Sequence, residues 1–106
     1  MSAAAARADA VFAALADPTR RGLIETLSRG GQASVSGLAK GLPISRQAVA
    51  KHLASLRAAE LVSSERVGRT TVYELRPETL ADAAEWIEMV GAEWDERLAA
   101  LRKSLG

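Results

Sequence analysis

Cysteine is absent from the chain, and that absence removes disulfides, thiolate metal ligands and thiol redox chemistry together. Histidine occurs once, so a zinc site would have to be built almost wholly from carboxylates, which is poor coordination chemistry for that metal. No metal and no other cofactor is expected. No apolar run approaches the roughly 20 residues needed to cross a bilayer, so no membrane partner is expected either. The alanine-rich start, MSAAAARADAVFAALAD, has no basic leader ahead of its apolar part and reads as a helix of a cytoplasmic protein. Catalytic frames are missing as well. There is no Cys/His or Ser/His/Asp arrangement with a recognisable frame and no phosphate-cradling glycine loop, so an enzyme is not expected.

What is present fits one domain spanning residues 1–106, with 48% apolar and 25% charged residues and no repeat, low-complexity tract or linker. The net charge of +1 conceals an asymmetry. Residues 18–76 carry ten basic and four acidic side chains, or +6, whereas residues 77–106 carry three basic and seven acidic, or −4. A basic middle between acidic flanks is expected where one face meets a polyanion. The acidic set Glu85, Glu88, Glu93, Asp95 and Glu96 reads as a solvated face, because no glycine-containing loop arranges it around a hard cation.

Apolar periodicity divides the chain into helices, a hairpin and a long final helix. Val11, Phe12 and Leu15 recur at helical spacing over about residues 3–16. Asp17-Pro18 caps and starts a second helix with the stripe Leu23, Ile24 and Leu27, and Gly30-Gly31 ends it. Ser34 begins a short third helix that points Val35, Leu38 and Leu42 inward and closes at Leu42-Pro43. Gly37 inside it costs about 1 kcal/mol relative to alanine. Ser45 then caps a fourth helix with the stripe Val49, Leu53 and Leu56. The third and fourth helices, about residues 34–58, have the shape of a helix-turn-helix. LVSSERVGRTTVYELRP, about residues 61–76, reads as a β-hairpin with a basic tip. From about residue 78 to 105, Leu80, Ala84, Ile87, Val90 or Gly91, Trp94, Leu98, Leu101 and Leu105 recur every three or four residues along a helix too long for so small a core.

This order, with LADPTRRGLIETL, SRQAVAKHLASLRAAELV and GRTTVYEL, resembles the ArsR/SmtB-type winged helix-turn-helix transcriptional repressors over nearly the whole chain. The resemblance implies a mainly α fold of about five helices with a β-hairpin wing and a long C-terminal dimerisation helix. It further implies a homodimer, built by the first and last helices, that binds an imperfect palindrome in a double-stranded DNA operator and blocks transcription. Metal-sensing members hold their ion with cysteines near the recognition region or with Asp/His/Glu sets on the last helix. This chain has neither. Pro43 stands where many members have a glycine with positive φ, so a different local turn is expected. An inducer, small molecule or protein, is left open, and a pocket between Trp86, Met89 and the first helix is where a small one would sit.

The site residues follow from the polar side of the fourth helix. Arg46 can meet guanine O6/N7, Gln47 adenine N6/N7, and Ser45 a phosphate or base edge, with Ala50 lining the same face. Lys51 is a phosphate contact or a solvated lysine. His52 is expected to pack against the preceding helix with one ring nitrogen hydrogen-bonded. Arg66, Arg69 and Thr70 at the wing tip lie along phosphates or enter the minor groove, unless the charges only keep an edge strand soluble. Arg20 and Arg21 have three open partners: Asp17, Glu25 and the DNA backbone. The dimer interface is expected to comprise Val11, Phe12, Leu15, Trp86, Ile87, Val90, Trp94, Leu98 and Leu101, because a helix apolar on two sides needs a second body to cover it. The rival reading is a winged-helix interaction module whose polar tip and hairpin bind an acidic protein.

Overall fold

The computed structural model describes residues 3–105. Helix α1 (Ala3–Leu15) buries Ala8, Val11 and Ala14. Two arginines from the next helix close its C-terminal end. Arg20 donates from Nε to the Ala14 carbonyl and from Nη2 to that of Ala13 at 3.2 Å, and Arg21 donates from Nη1 to Leu15 O at 2.7 Å. Helix α2 (Pro18–Gly30) starts where Asp17 accepts the Arg20 amide at 2.9 Å and ends at Gly31, whose φ of 81° suits glycine. Leu23, Ile24 and Leu27 form its buried stripe, as their spacing predicts.

A strand that periodicity does not reveal comes next. Ala33–Ser34 forms β1, too short to show alternation, and it is defined only by its partner strand. Helix α3 (Val35–Ala39) is capped by Ser34, whose Oγ accepts the Gly37 amide at 3.1 Å. It stops at Ala39 and not at Leu42, so the expected helix is three residues too long. Between α3 and α4 no residue has positive φ, in keeping with the different turn expected at Pro43.

Helix α4 (Arg46–Ala58) is capped by Ser45, which accepts the Ala48 amide at 3.1 Å, and buries Val49, Leu53 and Leu56 completely. Its end is unusual. Glu60 has a φ of 60°, its amide bonds to Arg57 O at 2.9 Å, and Leu61 N–H reaches Leu56 O at 3.0 Å. This is a Schellman ending with glutamate where glycine is usual. The Thr79 hydroxyl donates to the Glu60 carbonyl and so joins this end to the last helix.

Strands β2 (Val62–Val67) and β3 (Thr70–Leu75) form the expected hairpin, and β1 adds to β3 to give an antiparallel sheet of order β1-β3-β2. Gly68, first of the two loop residues, has a φ of 62° while Arg69 does not turn positive, the pattern of a type II′ turn. Helix α5 (Pro77–Leu105) runs 29 residues, roughly 43 Å at 1.5 Å per residue. It packs on α1, with Arg7 and Asp82 paired at 3.4 Å. Only Thr79 and Ala83 on it are buried, so the side turned to the core lies one residue ahead of the expected Leu80, Ala84, Ile87 stripe, of which only Leu80 is partly buried. The remainder projects: the radius of gyration is 17.9 Å, against about 13 Å for a compact chain of 100 residues. The whole is a winged helix-turn-helix with a long terminal helix.

Candidate nucleic-acid interface

Each residue of an α-helix is turned about 100° from the last, so burying Val49, Leu53 and Leu56 turns Gln47 and Lys51 to the opposite side and Ala50 to the flank, whereas Arg46, one turn before Val49, is open to solvent because it stands at the helix start. All four are exposed. Among the described residues the side chains of Arg46, Gln47 and Lys51 have no hydrogen-bond or ion-pair partner. The first turn contains no acid, so the free amides at the helix start and the Arg46 guanidinium form a donor-rich, positive tip. Ser45 is exposed, but its Oγ is already engaged by the Ala48 amide. A base or phosphate would have to share that oxygen.

At the wing, Arg66, Arg69 and Thr70 are all exposed. Arg66 donates from Nε to Gly68 O at 3.3 Å, which folds its stem back over the turn, while the Arg69 guanidinium has no partner among the described residues. Ser36 and Thr71 were not foreseen at all. They border a cleft shared with Arg69 and Thr70, and only the pairing of β1 with β3 brings the start of α3 to the wing.

His52 lies half-buried with Nδ1 3.9 Å from Asp17 Oδ2, an ionic approach and not a hydrogen bond, so the ring-nitrogen hydrogen bond expected of it is not made among the described residues. Asp17 is held below the usual carboxylate range chiefly by the Arg20 amide, with His52 and the Arg20 guanidinium adding to it against partial desolvation. Neither the Arg20 nor the Arg21 guanidinium pairs with Asp17 or Glu25: both donate to backbone carbonyls of α1.

The residues expected at a subunit interface divide. Val11 is 1% exposed and sealed in this chain's own core, because it shares a helical face with Ala8 and Ala14; it has no surface to offer a partner, which corrects the expectation. Leu15 is partly buried against the same core. Phe12 and Trp86 meet edge to face, with ring centroids 5.5 Å apart, so the Phe12 ring occupies the space proposed for a ligand beside Trp86. Ile87, Met89, Val90, Trp94 and Leu101 are exposed, Trp94 to 58%, and Leu98 is half-buried. Trp94 therefore does not belong to this chain's core. Among the described residues no group of three or more His, Cys, Asp or Glu side chains is placed to hold a metal ion, and no helix is long and apolar enough to cross a membrane.

Residues 15–65 match the family described as a helix-turn-helix domain. The chain is 47% identical over 73 residues to the HTH-type transcriptional regulator Rv2034 of Mycobacterium tuberculosis, covering 69% of this chain and 67% of that protein. It is 35% identical over 77 residues to the transcriptional repressor SdpR of Bacillus subtilis, covering 73% of this chain and 84% of that one. A solved structure, the ArsR-like transcriptional regulator from Rhodococcus sp. RHA1, is similar with a TM-score of 0.83 at 47% identity, and the match covers 92% of each chain.

Proposed function

The chain belongs to the ArsR-type helix-turn-helix transcriptional regulators, a DNA-binding family and not one of enzymes, and from that premise we propose that it acts as a cytoplasmic homodimer that reads a palindromic operator and represses transcription. The observation that carries this reading is the first half of α4, where Arg46, Gln47 and Lys51 stand exposed and without partners among the described residues while Val49, Leu53 and Leu56 lock the helix into the core. Arg46 and Gln47 have the fork geometries that match guanine and adenine edges, and Lys51 serves a phosphate. A symmetric dimer presents two such tips about 34 Å apart, one turn of duplex, which is why its operator is a palindrome.

Support for the dimer comes from α5. Its distal half exposes Trp94, Leu101 and Leu105, large apolar side chains gathered on one face of a projecting helix, as at a protein–protein contact. Repression follows from the likeness to a named repressor. The test is retention on random-sequence duplex DNA across a salt series, followed by selection of bound genomic fragments. Steep salt dependence and a recovered two-fold symmetric site are expected. Absence of salt-dependent retention would instead favour an acidic protein as partner.

A further inference from the structure

A cleft of about 420 Å³ lies between α3 and the wing, with Ser34, Val35 and Ser36 on one wall and Arg69, Thr70 and Thr71 on the other. Strand pairing builds it. Ser34 lies opposite Val72, so the residues after β1 stand beside the start of β3, next to the wing tip. Four hydroxyl-bearing residues border the cleft, and the hydroxyl of Ser34 is committed to the Gly37 amide. Those of Ser36, Thr70 and Thr71, and the Arg69 guanidinium, have no partner among the described residues. No acidic side chain lines the cleft. One cation with hydroxyl donors available on both walls and no competing anion suits a single tetrahedral oxyanion. It does not suit a flat base edge, which needs coplanar donors and acceptors.

The geometry points to this cleft as the seat of a DNA backbone phosphate, gripped between the start of the helix-turn-helix and the wing, with Arg69 lying along the backbone and not entering the minor groove. This rests on the DNA-binding reading above and extends the contact surface to Ser36 and Thr71. Arg66 is turned back onto Gly68 O at 3.3 Å, so Arg69 is the wing-tip cation free to face the cleft. The consequence for specificity is definite: the wing positions the protein on the duplex, and base preference comes from α4.

The test uses the full chain and fluorescently labelled random-sequence duplexes of roughly 30 base pairs, long enough for two half-sites, one set AT-rich and one GC-rich. Arg69→Ala should make the slope of log affinity against log salt shallower by about one, equally on both sets. Ser36→Asp should lower affinity about tenfold at low salt by placing an anion against the phosphate. An acid in a first helical turn suits a helix, so folding is retained. Ala81→Asp, the same charge change on α5, should leave affinity within about twofold. If Ser36→Asp binds as Ala81→Asp does, the cleft holds no phosphate. A loss for Arg69→Ala confined to AT-rich duplexes would place that side chain in the minor groove and overturn the assignment. Should the unaltered protein itself fail to bind duplex DNA, the DNA reading falls first and this inference with it.

Discussion

Arg46 and Lys51 are both exposed on α4, yet they carry different expectations. Arg46 sits in the first turn, where a bidentate contact to guanine is in reach, so Arg46→Ala should cost on the order of 1–3 kcal/mol and relax preference at one base position. Lys51→Ala should weaken every sequence alike and make the salt slope shallower. Competition gel shifts against single-base variants of the selected site separate the two. Glu60 invites a stability prediction of its own. Holding an L-residue with φ of 60° costs roughly 1–2 kcal/mol, and glycine there would return about 0.4–1 kcal/mol of that through a freer unfolded chain. Glu60→Gly should therefore stabilise modestly, raising Tm by a few degrees in calorimetry, while Glu60→Val lowers it. Acid sensitivity resides in Asp17 and Glu78. Asp17 is held low chiefly by the Arg20 amide, and Glu78 by its own backbone amide and by Arg76 at 2.8 Å. Since folding depresses both, their stabilisation is whole at neutral pH and is lost as pH falls through the carboxylate range, below about 4. An Asp17→Asn, Glu78→Gln variant should show a flatter fall of Tm on the acid side.

Elements were legible where their signals are local. Asp17-Pro18, Ser34 and Ser45 announce helix starts because a side-chain oxygen satisfies an amide three residues on. The outward turn of Gln47 and Lys51 on α4 was legible for a related reason, since the stripe Val49, Leu53 and Leu56 dictates which side faces outward. What escaped depends on distant partners. The two residues of β1 are a strand only because Tyr73 and Val72 lie opposite them. The side of α5 against the core is marked by small residues, Thr79 and Ala83, while most of its large apolar residues beyond Leu80 are exposed. Arg20 and Arg21 escaped because their acceptors are backbone carbonyls, which no residue pattern announces. Those bonds make a testable joint between α1 and α2. Replacing both arginines by alanine should cost on the order of 1–2 kcal/mol, allowing for solvent screening at the exposed Arg21. Hydrogen exchange should show lost protection at the end of α1 with protection in α4 retained.

For the molecule as a whole, shape and surface point the same way. Principal extents of 65 × 29 × 21 Å describe a wedge with a helical stalk, and the stalk's apolar residues have nothing in the same chain to cover them. A lone helix segment of this kind is marginal in water, so a second copy would stabilise it through packing. If dimerisation contributes to stability, Tm must rise with protein concentration by mass action, and calorimetry at two concentrations about a hundredfold apart checks this. The interface itself is tested by Trp94→Glu with Leu98→Glu. Trp94 is 58% exposed, so the change spares the core of the winged helix, and protection in α4 should persist. Sedimentation should nonetheless give a monomer. That monomer should bind one half-site weakly and lose the preference for two half-sites about 34 Å apart, because two α4 tips then no longer reach the duplex as one body. A dimer surviving both substitutions would mean that the stalk is not where the subunits meet.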